Sequence, residues 1–410
     1  MKFKTLYFNP LNIIILSFGI FFFIGFFFPT FLLNNRMNFF ENIPSANPIG
    51  SDIKTVLGMT EINNFYPYSP FATVVFSLLN LFNKNFVFYL ITFLTLISIF
   101  SILYVFFRTD LIKNKITFTI LILVFIFSYG FQFEIERGQW NLIAINLSFL
   151  GIWLYNNNKK IFGIILITFS IHLKIFPLIF FFMIFNRNVK IKTLIYDSFI
   201  FIFLNISLLF IFGFNAFKLY INQLYTYSLS PYSWVGNHSL VSFGSINNLI
   251  DKNYIYLFVF TSIFAFIFAS SFVMFYFKKQ KVFISQFFII TAVGAIIIPS
   301  VSHDYTLTIL SLTLIPFLCN LTEKLNIYNS IYIFIICSIY FIISYSYSNY
   351  LWVFKPIFEN KFPVLFLLLI TVWIKQLLEF IFYCKNIESE YISKYKSKLL
   401  NFTLKLYYSK

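Results

Sequence analysis

A handful of residues in this chain could do chemistry, and they fall in short polar clusters between apolar runs. Asp52 lies in Gly50-Ser51-Asp52. Arg137, Gln139 and Asn141 lie in Glu136-Arg137-Gly138-Gln139-Trp140-Asn141. Lys174 lies in His172-Leu173-Lys174-Ile175-Phe176-Pro177, Asn237 and His238 in Gly236-Asn237-His238-Ser239, and His303 and Asp304 in Ser302-His303-Asp304-Tyr305. Asp52 can act as a general base that takes the proton of an acceptor hydroxyl; it can equally be a solvated loop residue or a helix cap. Arg137 can clamp a phosphate with two parallel hydrogen bonds, or pair with Glu134 or Glu136. Gln139 and Asn141 both donate and accept, and Trp140 between them suits an interfacial aromatic belt. His303 and Asp304 can bind phosphate or a divalent ion, or Asp304 can cap the helix that follows. Their spacing matches no zinc motif, so no metal or cofactor is assigned and a divalent cation is only a secondary option. Asn237-His238-Ser239 reads by itself as loop polarity, and it also fits the acceptor pattern for N-glycosylation.

The elements that must position these residues are membrane helices. Charged residues make up 11% of the chain and hydrophobic ones 60%, against about 25% charged in a soluble domain. A net charge of +16 would suggest nucleic acid in a soluble protein. Here the basic residues flank apolar runs, and no basic stripe with stacking aromatics lies outside them, so nucleic acid is excluded as a partner. The cysteines, Cys319, Cys337 and Cys384, fall in or at the ends of apolar runs without ligand spacing, as inert packing thiols do.

A spanning helix needs about 20 mainly apolar residues. Ten runs qualify: 11–33, 86–107, 115–133, 139–156, 192–214, 254–277, 282–300, 304–321, 327–347 and 362–384. The first reads as a retained signal anchor. One set of span ends gathers Lys2, Lys4, Arg108, Lys113, Lys159, Lys160, Arg187, Lys278 and Lys324. The positive-inside rule makes that side cytoplasmic, with both termini. The run 161–185 is basic at both flanks and too short to cross twice, so it reads as a re-entrant pair of half-helices broken near Pro177. Broken backbone at membrane depth lines a cavity or lies inside protein, so Lys174 should face a cavity. Residues 69–83 read as a short interfacial or re-entrant helix. Long outer loops are expected at 34–85 and 215–253, and a basic amphipathic tail at 385–410 lies on the cytoplasmic leaflet. Asp52, Arg137, Gln139, His238, His303 and Asp304 then share the outer interface, with Lys174 approaching it from within the bundle.

Tyr66-Pro67 with Ser69-Pro70, then Gly138-Gln139-Trp140-Asn141, then Lys174-Ile175-Phe176-Pro177, then Asn237-His238-Ser239 resemble glycosyltransferase family 87, over roughly residues 10–320. Where that family has Tyr-Pro-Pro, this chain has Tyr66-Pro67-Tyr68-Ser69-Pro70. The resemblance implies an all-α polytopic fold of the GT-C type; with the spans read above, about ten plus the re-entrant pair, one domain is expected over 1–384, its last two spans matching the family only in hydropathy. It implies transfer of a mannose-like hexose from a polyprenyl-phosphate donor to a lipid-linked or glycan acceptor on the non-cytoplasmic face, with inversion. Asp52 is the match to the family's first-loop base, with Glu41 and Glu61 as local competitors and Asp304 as the second choice. Arg137, Lys174 and His303 would neutralise phosphate charge, and Gln139, Asn141, Asn237 and His238 would help hold the donor. Two other classes remain: a lipid-linked oligosaccharide polymerase or ligase, which needs no first-loop carboxylate, and a flippase or transporter, which predicts midplane sites and internal repeats.

Overall fold

The computed structural model describes residues 10–22, 49–58, 68–112, 114–126, 128–184, 191–229, 236–247, 253–277, 281–323, 327–345 and 360–384. Tyr66-Pro67, Glu41, Glu61 and the tail 385–410 lie outside them. The described chain is helical: α1 (Pro10–Phe22), α2 (Ser51–Gly58), α3 (Pro70–Leu79), α4 (Lys84–Arg108), α5 (Lys115–Ile126), α6 (Tyr129–Arg137), α7 (Asn141–Asn156), α8 (Lys160–Leu173), α9 (Ile191–Leu209), α10 (Gly213–Leu229), α11 (Leu240–Ile246), α12 (Asn253–Phe277), α13 (Lys281–Ile297), α14 (Leu307–Leu321), α15 (Ile327–Tyr345) and α16 (Phe362–Cys384). Among the described residues the only pairing of strand type is one isolated bridge between Asn237 and His303.

Ten spans were expected, and the described helices supply fewer. Five stretches are long and apolar enough to cross a membrane: α4, Lys192–Leu209, Tyr254–Phe275, Asp304–Leu321 and α16. α5 and α6, bent by 51° at their break, would make a sixth. The shortfall has a local cause. Of the expected spans, 139–156 appears as α7 with 16 residues and 282–300 as α13 with 17, so each is about 26 Å or less at 1.5 Å per residue, short of a hydrocarbon core of about 30 Å. At α7 the polar residues Gln139 and Asn141 open the helix late; α8, 14 residues long and stopped before Lys174, belongs to the run 161–185 read as re-entrant and not to the ten. α1 is described only to Phe22, so the rest of the expected span 11–33 lies outside the described residues.

At Lys174 the backbone is extended (φ −148°, ψ 138°), and a 3-10 helix follows over Phe176–Ile184. The break therefore falls inside the His172–Pro177 stretch. Met183, near the end of the 3-10 helix, borders the same apolar cavity as Arg108 and Asn157. The chain has come back towards the end of the bundle at which α8 began.

Most of the interior is one apolar core centred on α14, in which every residue from Leu307 to Leu321 is buried. A second, smaller core of Ile53, Leu57, Phe76, Val87, Trp140 and Leu173 joins α2, α3, α4, α7 and α8. Trp140 is thus a buried packing residue rather than a member of an interfacial belt. α7 and α8 cross closely: a Cβ on Gly151 would meet the Gly163 carbonyl oxygen at 2.8 Å, the close approach that small residues allow in membrane bundles. Ser148 and Ser170 bond across the same contact at 2.7 Å. This crossing fixes the start of α7 beside the end of α8, and so Gln139 beside Lys174.

Candidate active site

Two left-handed glycines set the frame. Gly138 (φ 66°) ends α6, and its turn returns the Gln139 N–H to the Glu134 carbonyl at 3.0 Å. Gly50 (φ 73°) precedes α2, and its N–H donates to the Glu136 carbonyl at 2.7 Å. Both face the ring of Phe88: a Cβ would sit 2.7 Å from it at Gly50 and 3.2 Å at Gly138. Glycine is required here by backbone sign and by lack of room. The result is that the first turn of α2, carrying Ser51 and Asp52, lies against the last turn of α6.

On this frame four elements contribute one network. Gln139 Nε2 donates to Asp52 Oδ2 at 2.6 Å. Arg137 Nη1 donates to Ser51 Oγ at 2.8 Å and lies 3.4 Å from Asp52 Oδ1. Ser51 Oγ in turn donates to Asp52 Oδ1 at 3.3 Å. From α8, Lys174 Nζ donates to Gln139 Oε1 at 3.2 Å and to the Tyr68 hydroxyl at 3.3 Å. Lys174 also lies 5.0 Å from the centre of the Tyr68 ring and 5.9 Å from that of Tyr305, within the range of cation–π attraction. The Arg137 guanidinium lies 4.8 Å from the Phe133 ring, which stacks on Tyr305. Tyr68 is held there because Ser69 caps α3 and donates its hydroxyl to the His172 carbonyl at 2.7 Å. Arg137 does not turn to Glu134, which instead accepts from Asn141 Nδ2 at 2.7 Å and the Leu142 N–H at 3.0 Å.

A second polar cluster sits beyond His303. His238 Nδ1 accepts the Lys361 N–H at 3.2 Å, so the ring hydrogen is on Nε2, which donates to Asp304 Oδ1 at 2.9 Å. Asn237 Oδ1 accepts from the Ser302 N–H at 2.8 Å, and the Asn237 carbonyl accepts from Asn360 Nδ2 at 2.9 Å. Asn237 and His238 are fully buried. They fasten the turn before α14 to the start of α16. His303 lies between the two clusters. Burial pushes it down to about 4, although Asp304 and Asp52 pull the other way, so the ring is neutral at pH 7. The family resemblance gave His303 a charge-neutralising role; a neutral ring can donate a hydrogen bond but carries no positive charge.

Of the candidate residues, Asp52, Arg137, Gln139 and Lys174 come together directly, and His303 borders them through Tyr305, 5.5 Å from it between ring centres. Asn141 serves Glu134, while Asn237, His238 and Asp304 form the buried fastening. Tyr305, Ser51 and Phe88 were missed as site components. Their signals were slight: an aromatic after His303-Asp304, a serine before Asp52, and one of many phenylalanines. No group of three or more His, Cys, Asp or Glu side chains fit to hold a metal occurs among the described residues.

The profile of glycosyltransferase family 87 matches residues 66–299 of this 410-residue chain. The chain belongs to glycosyltransferase family 87. This family 87 chain is therefore a membrane glycosyltransferase, with a sugar donor, an acceptor and lipid as its partners. The matched stretch holds Arg137, Gln139 and Lys174 but stops short of Asp52 on one side and His303 on the other. Geometry, rather than the family match, joins those two residues to the rest. No curated protein and no solved structure matches the chain.

Proposed function

We propose that the enzyme transfers a hexose, mannose-like, from a polyprenyl-phosphate sugar to a hydroxyl of a lipid-linked or glycan acceptor, with inversion at the anomeric carbon and Asp52 as general base. The observation that carries this reading is the network in which an arginine and a glutamine both hold the Asp52 carboxylate and a lysine from a third element holds that glutamine. Asp52 takes the acceptor proton, the freed oxygen attacks the anomeric carbon, and the sugar–phosphate bond breaks with its electron pair leaving on phosphate. Lys174 and Arg137 are placed to meet the negative charge as it grows, which is where preorganised cations lower a barrier most. Neutral His303 is placed to donate a hydrogen bond. A single displacement inverts the configuration. A lipid donor suits a site at one end of an apolar bundle, since its tail can lie among the helices.

We place this site on the non-cytoplasmic face and both termini in the cytoplasm. Asp52, Gln139, Lys174 and Asp304 lie at one end of the helices. Arg108, Lys160 and Met183 lie at the other, which is the basic end. Basic ends stay inside. The return of the 3-10 helix to that end supports a re-entrant pair over 161–185. Detergent-purified enzyme supplied with labelled polyprenyl-phosphate mannose should pass label to acceptor lipid, and supplied with the nucleotide sugar it should not. Transfer from the nucleotide sugar alone would sink the donor assignment.

A further inference from the structure

Among the described residues Glu134 is the most deeply buried carboxylate beside the site, and the proposed mechanism does not use it. Its side chain is almost wholly enclosed. Both oxygens are engaged: Oε2 accepts from Asn141 Nδ2 at 2.7 Å and Oε1 from the Leu142 N–H at 3.0 Å. Its own carbonyl accepts the Gln139 N–H at 3.0 Å. One residue thus holds three points of the segment 139–142, including the Leu142 N–H in the first turn of α7, which has no partner within the helix. The same short turn carries Arg137 and Gln139, whose side chains hold Asp52.

We infer that Glu134 is a positioning residue for transfer: it locks the α6–α7 turn so that Gln139 and Arg137 fix the Asp52 carboxylate. The inference rests on the proposed role of Asp52. The lock works through hydrogen bonds and does not need the negative charge. Asn141 Oδ1 has no hydrogen-bond partner among the described residues. In Glu134→Gln the new amide oxygen keeps the Leu142 N–H, and Asn141 turns its amide over to accept from the new amide nitrogen. Both contacts survive without charge. In Glu134→Ala both are lost, and the turn is free to shift.

The test measures kcat, donor KM and melting temperature on purified full-length enzyme. Glu134→Ala should lower kcat per folded molecule by about 30-fold, in line with the roughly hundredfold cost of an ångström-scale misplacement. Glu134→Gln should stay within about threefold of the parent. In a Gln139→Ala background the Glu134→Ala penalty should shrink to less than about threefold, since residues that act as a unit are not additive. Should Glu134→Ala not fold, Asn141→Ala carries the same test: a loss in kcat that disappears in the Gln139→Ala background. The inference is overturned if Glu134→Ala lowers only the melting temperature, if Glu134→Gln is as damaging as Glu134→Ala, or if the two penalties multiply. Failure of the mechanism itself looks different: Asp52→Asn would then transfer at the parent rate, whatever Glu134 does.

Discussion

Two carboxylates stand at the same end of the bundle, and their surroundings differ. The Asp52 side chain is 31% exposed and shares hydrogen bonds with Gln139, Ser51 and Arg137. The Asp304 side chain is 4% exposed and faces His238, itself pinned to the Lys361 backbone. In sequence the two look alike, each beside polar residues at a helix start. Only one can be reached by an incoming hydroxyl. A base must come within hydrogen-bond reach of the proton it takes, so under the proposed mechanism Asp52 is the one to react, while Asp304 holds the turn before α14.

The largest effect that could break this contrast is the exchange of each carboxylate for its amide. Asp52→Asn should cut transfer by about 10²–10⁴-fold, the usual worth of a positioned base, with melting temperature unchanged. Asp304→Asn should do the reverse: its amide oxygen can keep the His238 Nε2–H, but the new amide nitrogen takes the place of Oδ2, which has no hydrogen-bond partner among the described residues, so stability should fall by about 1–3 kcal/mol while transfer per folded molecule falls less than about tenfold. If Asp304→Asn abolishes transfer in a stable protein and Asp52→Asn does not, the base is Asp304.

Next in size is the cation beside the base. Lys174→Gln removes a charge that bonds to Gln139 and Tyr68. It should cost about 1.5–3 kcal/mol, the worth of a charged hydrogen bond, read as a roughly 10- to 100-fold fall in kcat/KM for the lipid donor. His238→Ala, in the other cluster, should instead show in the melting temperature.

A smaller effect would sharpen the contrast through the backbone. Gly138→Ala forces a side chain into the left-handed region, at a cost of about 1–2 kcal/mol, and puts its Cβ 2.8 Å from Ile53 Cγ2. It should push α2 away and lower transfer about tenfold. Gly213→Ala has similar backbone strain (φ 82°) with open space around it, so it should cost stability alone. Equal losses of transfer at both glycines would argue against Gly138 as part of the site's frame.

The smallest effect concerns His303. Its folded value is held down to about 4 by burial, below the usual 6.5 of an unfolded chain. Between those values the unfolded state binds the extra proton and the folded state does not, so stability rises with pH. Stability should therefore fall as pH drops from about 6.5 towards 4, and His303→Gln should flatten that fall. In the same variant the pH–rate profile above pH 5 should keep its shape, because the ring does not titrate there. A shifted profile would mean that His303 exchanges a proton during transfer.

Much of the molecule was legible in the chain. Composition and apolar runs required membrane helices, because burying so much Phe, Ile and Leu against water is not an option. The break after His172 was legible because a lysine and a proline cannot both continue an apolar helix. The need for Gly138 was half visible, as a glycine between two polar residues. Span count was not: apolar run length overstates helix length wherever a polar turn trims the end, as at Gln139 and Asn141 at the start of α7. The partners of Arg137 were not legible either. Glu134 and Glu136 are its neighbours in sequence, but the geometry of α6 turns Glu134 inward to Asn141 and leaves Arg137 facing Ser51 and Asp52.

The sequence by itself determined the solvent this protein lives in, its helical class and the short list of groups able to do chemistry. Those follow from local composition and spacing. Tertiary structure alone decided which of those groups meet. Asp52 and Gln139 are 87 positions apart, and His238 and Asp304 are 66 apart. Whether such distant residues touch depends on how helices cross: on Gly151 against Gly163, and on two glycines folded over Phe88. The same packing that exposes one aspartate encloses the other, and nothing in either residue's own neighbourhood of the chain tells them apart.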